Sequence, residues 1–231
     1  MGDNSETNEE KEKEIIVNKI EESEITECDE LLNYKIIIVG DSGVGKSSLL
    51  KRAVHHIFSD HYQATIGFEF LLLYYDVNGK KMKLQIWDTC GQEMYRSLIQ
   101  GFYRNTTLTL LIYAVNDKNS FDNLSEWIKD IKNNTEIEMP IFLIGNKIDL
   151  NNELKIVDKN SAEAFVENNH LQYFSEASAK TGYKIDEIFI DIAKYIYQNI
   201  YLLGKKKLKK LTMGLDQKKD EQIDEKNTKC C

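Results

Sequence analysis

Gly40 to Ser47 read Gly-Asp-Ser-Gly-Val-Gly-Lys-Ser, directly after the apolar run Tyr34-Lys35-Ile36-Ile37-Ile38-Val39. The spacing is G-x-x-x-x-G-K-[ST] between a strand and a helix, the pattern of a backbone cradle for phosphate. Its glycines allow tight turns, so Asp41, Ser42, Gly43, Val44 and Gly45 can bring successive N–H groups to phosphate oxygens. Lys46 can reach β- and γ-phosphates, and the Ser47 hydroxyl can ligate Mg²⁺. Ser48 completes the cradle residues. The helix that starts near Lys46 points its positive end at the same anion.

A phosphate cradle alone does not choose a base. Asn146-Lys147-Ile148-Asp149 follows an apolar strand pattern and can make that choice. A carboxylate at Asp149 can accept from both the N1–H and the 2-amino group of guanine. Adenine offers no such donor pair, and a carboxylate left unpaired is costly. The aliphatic stem of Lys147 can lie on the base. Ser178-Ala179-Lys180 can bring backbone N–H groups to the base carbonyl.

Trp87-Asp88-Thr89-Cys90-Gly91-Gln92-Glu93 ends a third strand pattern. Asp88 fits a carboxylate that holds Mg²⁺ through water. The Gly91 N–H can meet a γ-phosphate, and Gln92 can orient an attacking water. Thr65 lies between two strands, where its hydroxyl can join Mg²⁺ only when a γ-phosphate is present. His55, His56 and His61 read as surface residues, since soft-metal ligation would compete with a Mg²⁺ site.

These residues need a scaffold. Strand patterns fall at 34–39, 67–76, 80–88, 107–115, 140–145 and 171–175. Leu108 to Val115 and Ile141 to Ile144 are nearly continuous apolar runs, as in strands buried on both faces. Helical spacing falls near 46–56, 120–134, 158–168 and 185–201. Asn78-Gly79 signals a hairpin between the second and third strands. The expected architecture is α/β: a six-stranded, mostly parallel sheet with helices on both faces. Ligands sit at the carboxyl ends of strands in such sheets, where the phosphate cradle already lies.

A chain of 231 residues suits one such domain with extensions. Residues 1–33 hold 3 Lys against 12 Asp and Glu, and residues 204–231 hold 9 Lys against 5. The first segment reads as an acidic, mostly disordered extension, although Ile15, Ile16, Ile20 and Ile25 can mark a short helix. The last reads as a flexible basic tail. The domain between them is expected over 34–203 and is not basic, which argues against nucleic-acid binding. No run of 18 apolar residues occurs. No signal peptide opens the chain, and Glu6 breaks the myristoylation pattern that Met1-Gly2 begins. The four Cys (Cys28, Cys90, Cys230 and Cys231) fit neither a disulfide framework nor a zinc site, which implies a reducing compartment.

From Tyr34 to about Ile200 the chain resembles a Rab small GTPase of the Ras superfamily. By that likeness Phe58 faces the guanine ring edge-on and Tyr62 closes over the phosphates. Ile66-Gly67-Phe68-Glu69-Phe70 resembles a Rab signature, and Tyr95-Arg96-Ser97-Leu98 resembles the second-switch signature. Phe70, Trp87 and Phe102 match the aromatic triad where effectors read the switch; a plain core role is the alternative. Cys90 stands where Ala is usual, and Ala114 replaces a common Asp.

The closing Cys230-Cys231 resembles the double geranylgeranylation site of Rabs, and is not a C-a-a-X box. Two prenyl chains would anchor the chain stably. Lys205-Lys206-Lys207-Leu208-Lys209-Lys210 can add attraction to anionic lipid. The resemblance implies a GTP/GDP switch in vesicle trafficking on the cytoplasmic face of intracellular membranes, cycling with the cytosol. It implies Mg²⁺, an exchange factor, a GTPase-activating protein, effectors, and prenylation and GDI-type chaperones as partners. A GTP-binding scaffold with negligible hydrolysis is the alternative.

Overall fold

The computed structural model describes residues 14–61, 68–89, 100–135, 138–150 and 152–207. Seven strands form one sheet: β1 (Val17–Ile20), β2 (Leu31–Val39), β3 (Phe68–Val77), β4 (Lys80–Thr89), β5 (Leu108–Ala114), β6 (Ile141–Asn146) and β7 (Tyr173–Glu176). Their order is β1-β3-β4-β2-β5-β6-β7. The pairs β1/β3 and β3/β4 are antiparallel, and every other pair is parallel. Helices described are α1 (Lys46–His55), α2 (Lys118–Asp122), α3 (Leu124–Asn133), α4 (Lys159–Asn169) and α5 (Ile185–Ile196).

Two-residue alternation divides the core into two layers. Ile36 and Ile38 of β2 point into one layer with α1 and α5, while Ile37 and Val39 point into the other with α3. β5 repeats the division: Leu108, Leu110 and Ile112 on one side, Leu111 and Tyr113 on the other. All seven β5 residues are buried, as its apolar run requires. The β3–β4 hairpin turns through Asn78 and Gly79, both with positive φ, 52° and 77°. That pair of conformations matches the right-handed strand twist and explains the Asn-Gly sequence.

The sheet has seven strands where six were expected. The additional strand comes from the acidic segment. Val17–Ile20 pairs along Val77 to Tyr74 of β3. Asn78 clasps Ile16 from both sides: its Oδ1 accepts from the Ile16 N–H at 3.0 Å, and its N–H donates to the Ile16 carbonyl at 3.1 Å. Lys19 Nζ donates to the Ala53 carbonyl at 2.8 Å. An open sheet edge supplies backbone partners whatever the incoming side chains are. That is why a short, highly charged segment forms a strand instead of the expected disorder or helix. Across Glu21–Glu30 the chain then crosses into β2, which begins at Leu31 rather than Tyr34. The sheet therefore takes in residues that precede Tyr34. At the other end, helical backbone continues past Leu203 to Lys207, with a π-helical turn at Tyr197–Leu202. The expected 120–134 helix is divided at Asn123 into α2 and α3.

Candidate nucleotide-binding site

The loop from Gly40 to Gly45 joins β2 to α1 under tight steric limits. Gly40 has φ +138°, and a Cβ there would come within 2.2 Å of the Ile112 carbonyl oxygen. Gly45 has φ +98°, and a Cβ there would strike the Asn146 side-chain amide at 2.3 Å. No other residue fits either position. Gly45 precedes α1 and offers no side chain to cap it, so the helix presents its N-terminus to the loop. Ser42 and Gly43 are exposed, Val44 is buried, and Ser47 and Ser48 are half-buried. Lys46 is 5% exposed, and its Nζ donates to the Gly40 and Asp41 carbonyls, each at 2.8 Å. The loop thus folds round its own ammonium group.

Four side chains, Asn123, Trp127, Asn146 and Lys147, brace this loop from outside. Asp41 accepts from Asn123 Nδ2 and Trp127 Nε1, each at 2.7 Å. Asn146 Nδ2 donates to the Val44 carbonyl at 2.9 Å. Lys147 Nζ donates to the Gly43 carbonyl at 2.7 Å. Lys147 has φ +72°, and burial pulls its ammonium pKa down. Its stem therefore runs from the end of β6 to the phosphate loop and leaves an aliphatic face between them.

The same β6 end meets the Ser178–Lys180 loop. Asn146 Oδ1 accepts from the Ala179 N–H at 3.1 Å. Asp149 accepts from the Ser178 hydroxyl at 2.6 Å, and Ser178 Oγ accepts in turn from the Thr181 N–H at 3.0 Å. Ser178 is fully buried, while Asp149 is exposed and its other oxygen stands ready for a planar donor. Arg52 locks the loop from behind: Nε donates to the Ala179 carbonyl at 2.9 Å and Nη2 to that of Lys180 at 2.6 Å. Lys180 forms an exposed ion pair with Asp60 at 3.2 Å. Phe58 packs half-buried against the α1–α5 layer, and His55, His56 and His61 are exposed.

Asp88 lies at the end of β4 with 1% exposure. Neither carboxylate oxygen has a hydrogen-bond partner among the described residues. Burial pushes its carboxyl pKa up; the Ser47 hydroxyl and the Lys46 charge pull it back down. The Ser47 hydroxyl is close enough to act on the carboxylate, but not within good hydrogen-bond geometry. A buried carboxylate without such a bond, beside a hydroxyl, is an oxygen donor pair suited to a small hard cation.

The structure places the three loops named from the sequence against one another. Sequence reasoning missed Arg52, Asn123 and Trp127 as their braces. The polar tips of Arg52 and Trp127 reach these loops only through the packing of α1 and α3. Tyr62, Thr65, Cys90, Gly91, Gln92, residues 95–98, Cys230 and Cys231 lie outside the described residues.

The aromatic triad is in place. Phe70 and Trp87 are register partners on β3 and β4, with ring centres 5.3 Å apart, and Trp87 lies 5.4 Å from Phe102. Phe70 is 53% exposed, so the group is not purely core. Lys35 Nζ sits beside it, 5.3 Å from the Trp87 ring centre, and donates to the Phe102 and Arg104 carbonyls at 2.6 and 3.1 Å.

Residues 35–198 match the model of the Ras family. Over 166 residues the chain is 40% identical to "Ras-related protein SEC4" of Saccharomyces cerevisiae (strain ATCC 204508 / S288c), covering 72% of this chain and 76% of that protein. The phosphate loop, the Asn146–Asp149 turn and the Ser178–Lys180 loop all fall inside the matched region, and the chain belongs to the Ras family as a small GTPase of the Rab type.

Proposed function

We propose that this GTPase is a Mg²⁺-dependent switch whose cradle is Asp41 to Ser48 and whose base site is Asn146, Lys147, Asp149, Ser178, Ala179 and Lys180. The observation that carries the metal assignment is the buried Asp88 carboxylate, for which no described residue makes a well-formed hydrogen bond, beside the Ser47 hydroxyl that acts on it. Ser47 and Thr65 would hold the ion directly and Asp88 through water. Bound Mg²⁺ supplies charge neutralisation at the β- and γ-phosphates.

The chain's own groups do the remaining work. Lys46 leaves the Gly40 and Asp41 carbonyls and takes up phosphate oxygens, so the phosphate replaces the loop's internal bonds. Asp149 turns its free oxygen to the guanine donor pair while Ser178 fixes the other. Phe58 flanks the base, and Tyr62 closes over the phosphates. Thr65 and the Gly91 N–H hold the γ-phosphate, which orders both switch segments. Gln92 orients water for attack, and loss of the γ-phosphate releases both segments. Intrinsic turnover is on the order of 10⁻⁴ to 10⁻³ s⁻¹, so an activating protein sets the working rate.

Prenylation of Cys230 and Cys231 would tether this switch to the cytoplasmic face of intracellular membranes in vesicle traffic. An exchange factor, effectors that read Phe70, Trp87 and Phe102, and prenylation and GDI-type chaperones complete the cycle. Single-turnover GTP hydrolysis, with and without a Rab-type activating protein and with Gln92→Leu, tests the switch. The reading fails if GTP is held without turnover under both conditions. Localisation of the tagged chain with Cys230→Ser and Cys231→Ser tests the tether separately.

A further inference from the structure

The base loop is held by a side chain from α1 that is itself no part of the base site. We propose that Arg52 is a positioning residue for base recognition: it holds the Ala179 and Lys180 carbonyls from behind and so aims the Lys180 N–H at the 6-carbonyl of guanine. The proposal rests on the reading of Asn146–Asp149 and Ser178–Lys180 as a guanine site.

Arg52 lies in the last turn of α1 and is half-buried. Its own helix end fixes it. The His56 N–H donates to the Arg52 carbonyl at 3.0 Å, and the His56 carbonyl accepts from Arg52 Nη1 at 2.7 Å. The other two nitrogens then reach the base loop, Nε at the Ala179 carbonyl and Nη2 at the Lys180 carbonyl. Gly182, with φ +84°, lies along the Arg52 stem: a Cβ there would stand 3.7 Å from Arg52 Cδ. A planar fork suits several carbonyls at once, whereas an ammonium is a single point charge.

The loop's N–H groups show which one is left for a ligand. The Ser178 N–H donates to the Tyr183 carbonyl at 3.2 Å. The Ala179 N–H is taken by Asn146 Oδ1, and the Thr181 N–H by Ser178 Oγ. The Lys180 N–H has no acceptor among the described residues. It shares a peptide unit with the Ala179 carbonyl, and a trans unit points its C=O and N–H to opposite sides. The bond from Arg52 Nε therefore turns the Lys180 N–H away from α1. The guanidinium charge also polarises that unit and strengthens its N–H as a donor. The Lys180 carbonyl shares the next unit with the Thr181 N–H, which braces the Ser178 hydroxyl that meets Asp149. The Lys180–Asp60 ion pair is exposed and contributes little to this geometry.

The full chain in Mg²⁺ is titrated with GDP, 6-thioguanosine diphosphate and inosine diphosphate, each displacing a fluorescent GDP analogue. The thio nucleotide keeps the N1–H and 2-amino group assigned to Asp149 and replaces only the 6-oxygen, by a poorer acceptor. Inosine diphosphate lacks the 2-amino group. The parent should prefer GDP to the thio nucleotide by about tenfold, the worth of one well-placed hydrogen bond. Arg52→Gln should reduce that preference to about threefold or less, whatever happens to overall affinity. A role confined to folding stability would weaken both nucleotides alike and leave their ratio unmoved. Arg52→Lys keeps the charge and the stem and should also lower the preference; it carries the test if the glutamine variant does not fold. Asp60→Asn removes the other hold on Lys180 and should keep the parent's preference. An unchanged ratio in the Arg52 variants, an equal fall in Asp60→Asn, or a parent that does not tell the oxygen from the sulfur would overturn the proposal. Failure of the guanine reading would show separately, as a parent that binds inosine diphosphate as tightly as GDP, and would take the proposal with it.

Discussion

The Asn146 side-chain amide donates to the Val44 carbonyl at 2.9 Å across 102 positions of sequence. The same side chain accepts from the Ala179 N–H, so one buried residue fixes the phosphate loop, the β6 turn and the Ser178–Lys180 loop to one another. Asn146→Ala strands a carbonyl and an N–H in a buried site, at a cost of about 1–3 kcal/mol. A fluorescent GDP analogue should bind about tenfold to a hundredfold more weakly to this variant. Equal affinity in a stopped-flow titration would count against the bridging role.

Lys35 makes a parallel bridge beside the Phe70–Trp87–Phe102 group. It donates to the Phe102 and Arg104 carbonyls and lies over the Trp87 and Phe102 rings. Lys35→Met should cost about 1–2 kcal/mol in urea denaturation. It should also shift Trp87 emission and leave GDP affinity unchanged. A shift in GDP affinity without an emission change would assign Lys35 to the nucleotide site instead.

Asp158 caps α4, where it accepts from the Ser161 N–H at 2.9 Å and the Ser161 hydroxyl at 2.7 Å. Those two bonds, the hydroxyl's first, hold its carboxyl pKa below the ordinary 3.8. A lowered folded-state value means that the unfolded chain binds the proton more readily, so this contribution is complete above 3.8 and fades as pH falls through the folded value. Asp158→Ala should lower Tm at neutral pH, and the gap from the parent should close in strong acid. A gap that persists at the lowest pH would mean that packing, not the charged cap, sets the loss.

β1 tests whether the acidic segment contributes to the stability of the sheet. Removing residues 1–24 deletes the Val17–Ile20 ladder, the burial of Ile20 and the Lys19 bond to Ala53. The expected loss is roughly 1–3 kcal/mol in urea denaturation. Nucleotide affinity should stay the same, because Ala53 lies at the far end of α1 from the phosphate loop. An undiminished stability would return residues 14–24 to the status of an appendage.

The parallel strands and their helices were legible because burial on both faces writes long apolar runs, as at Leu108 to Ala114. The site loops were legible because phosphate and base chemistry restricts residue type at fixed spacing. β1 was not, since it pairs through its backbone with a sheet edge and only Val17 and Ile20 of its four residues are apolar. The braces were not either: Trp127 carries an apolar body that fits its helix stripe, and its Nε1 bond to Asp41 depends on where α3 packs.

Asp149 carries the base assignment, and Asp149→Asn isolates it. The substitution keeps an oxygen that can still accept from Ser178 Oγ while exchanging the other acceptor for a donor. Calorimetric titration of parent and variant with GDP and with xanthosine diphosphate, in Mg²⁺, is the direct measurement. The parent should prefer GDP strongly, and the variant should reverse that preference. An unchanged preference in the variant would contradict the assignment of Asp149 to the base.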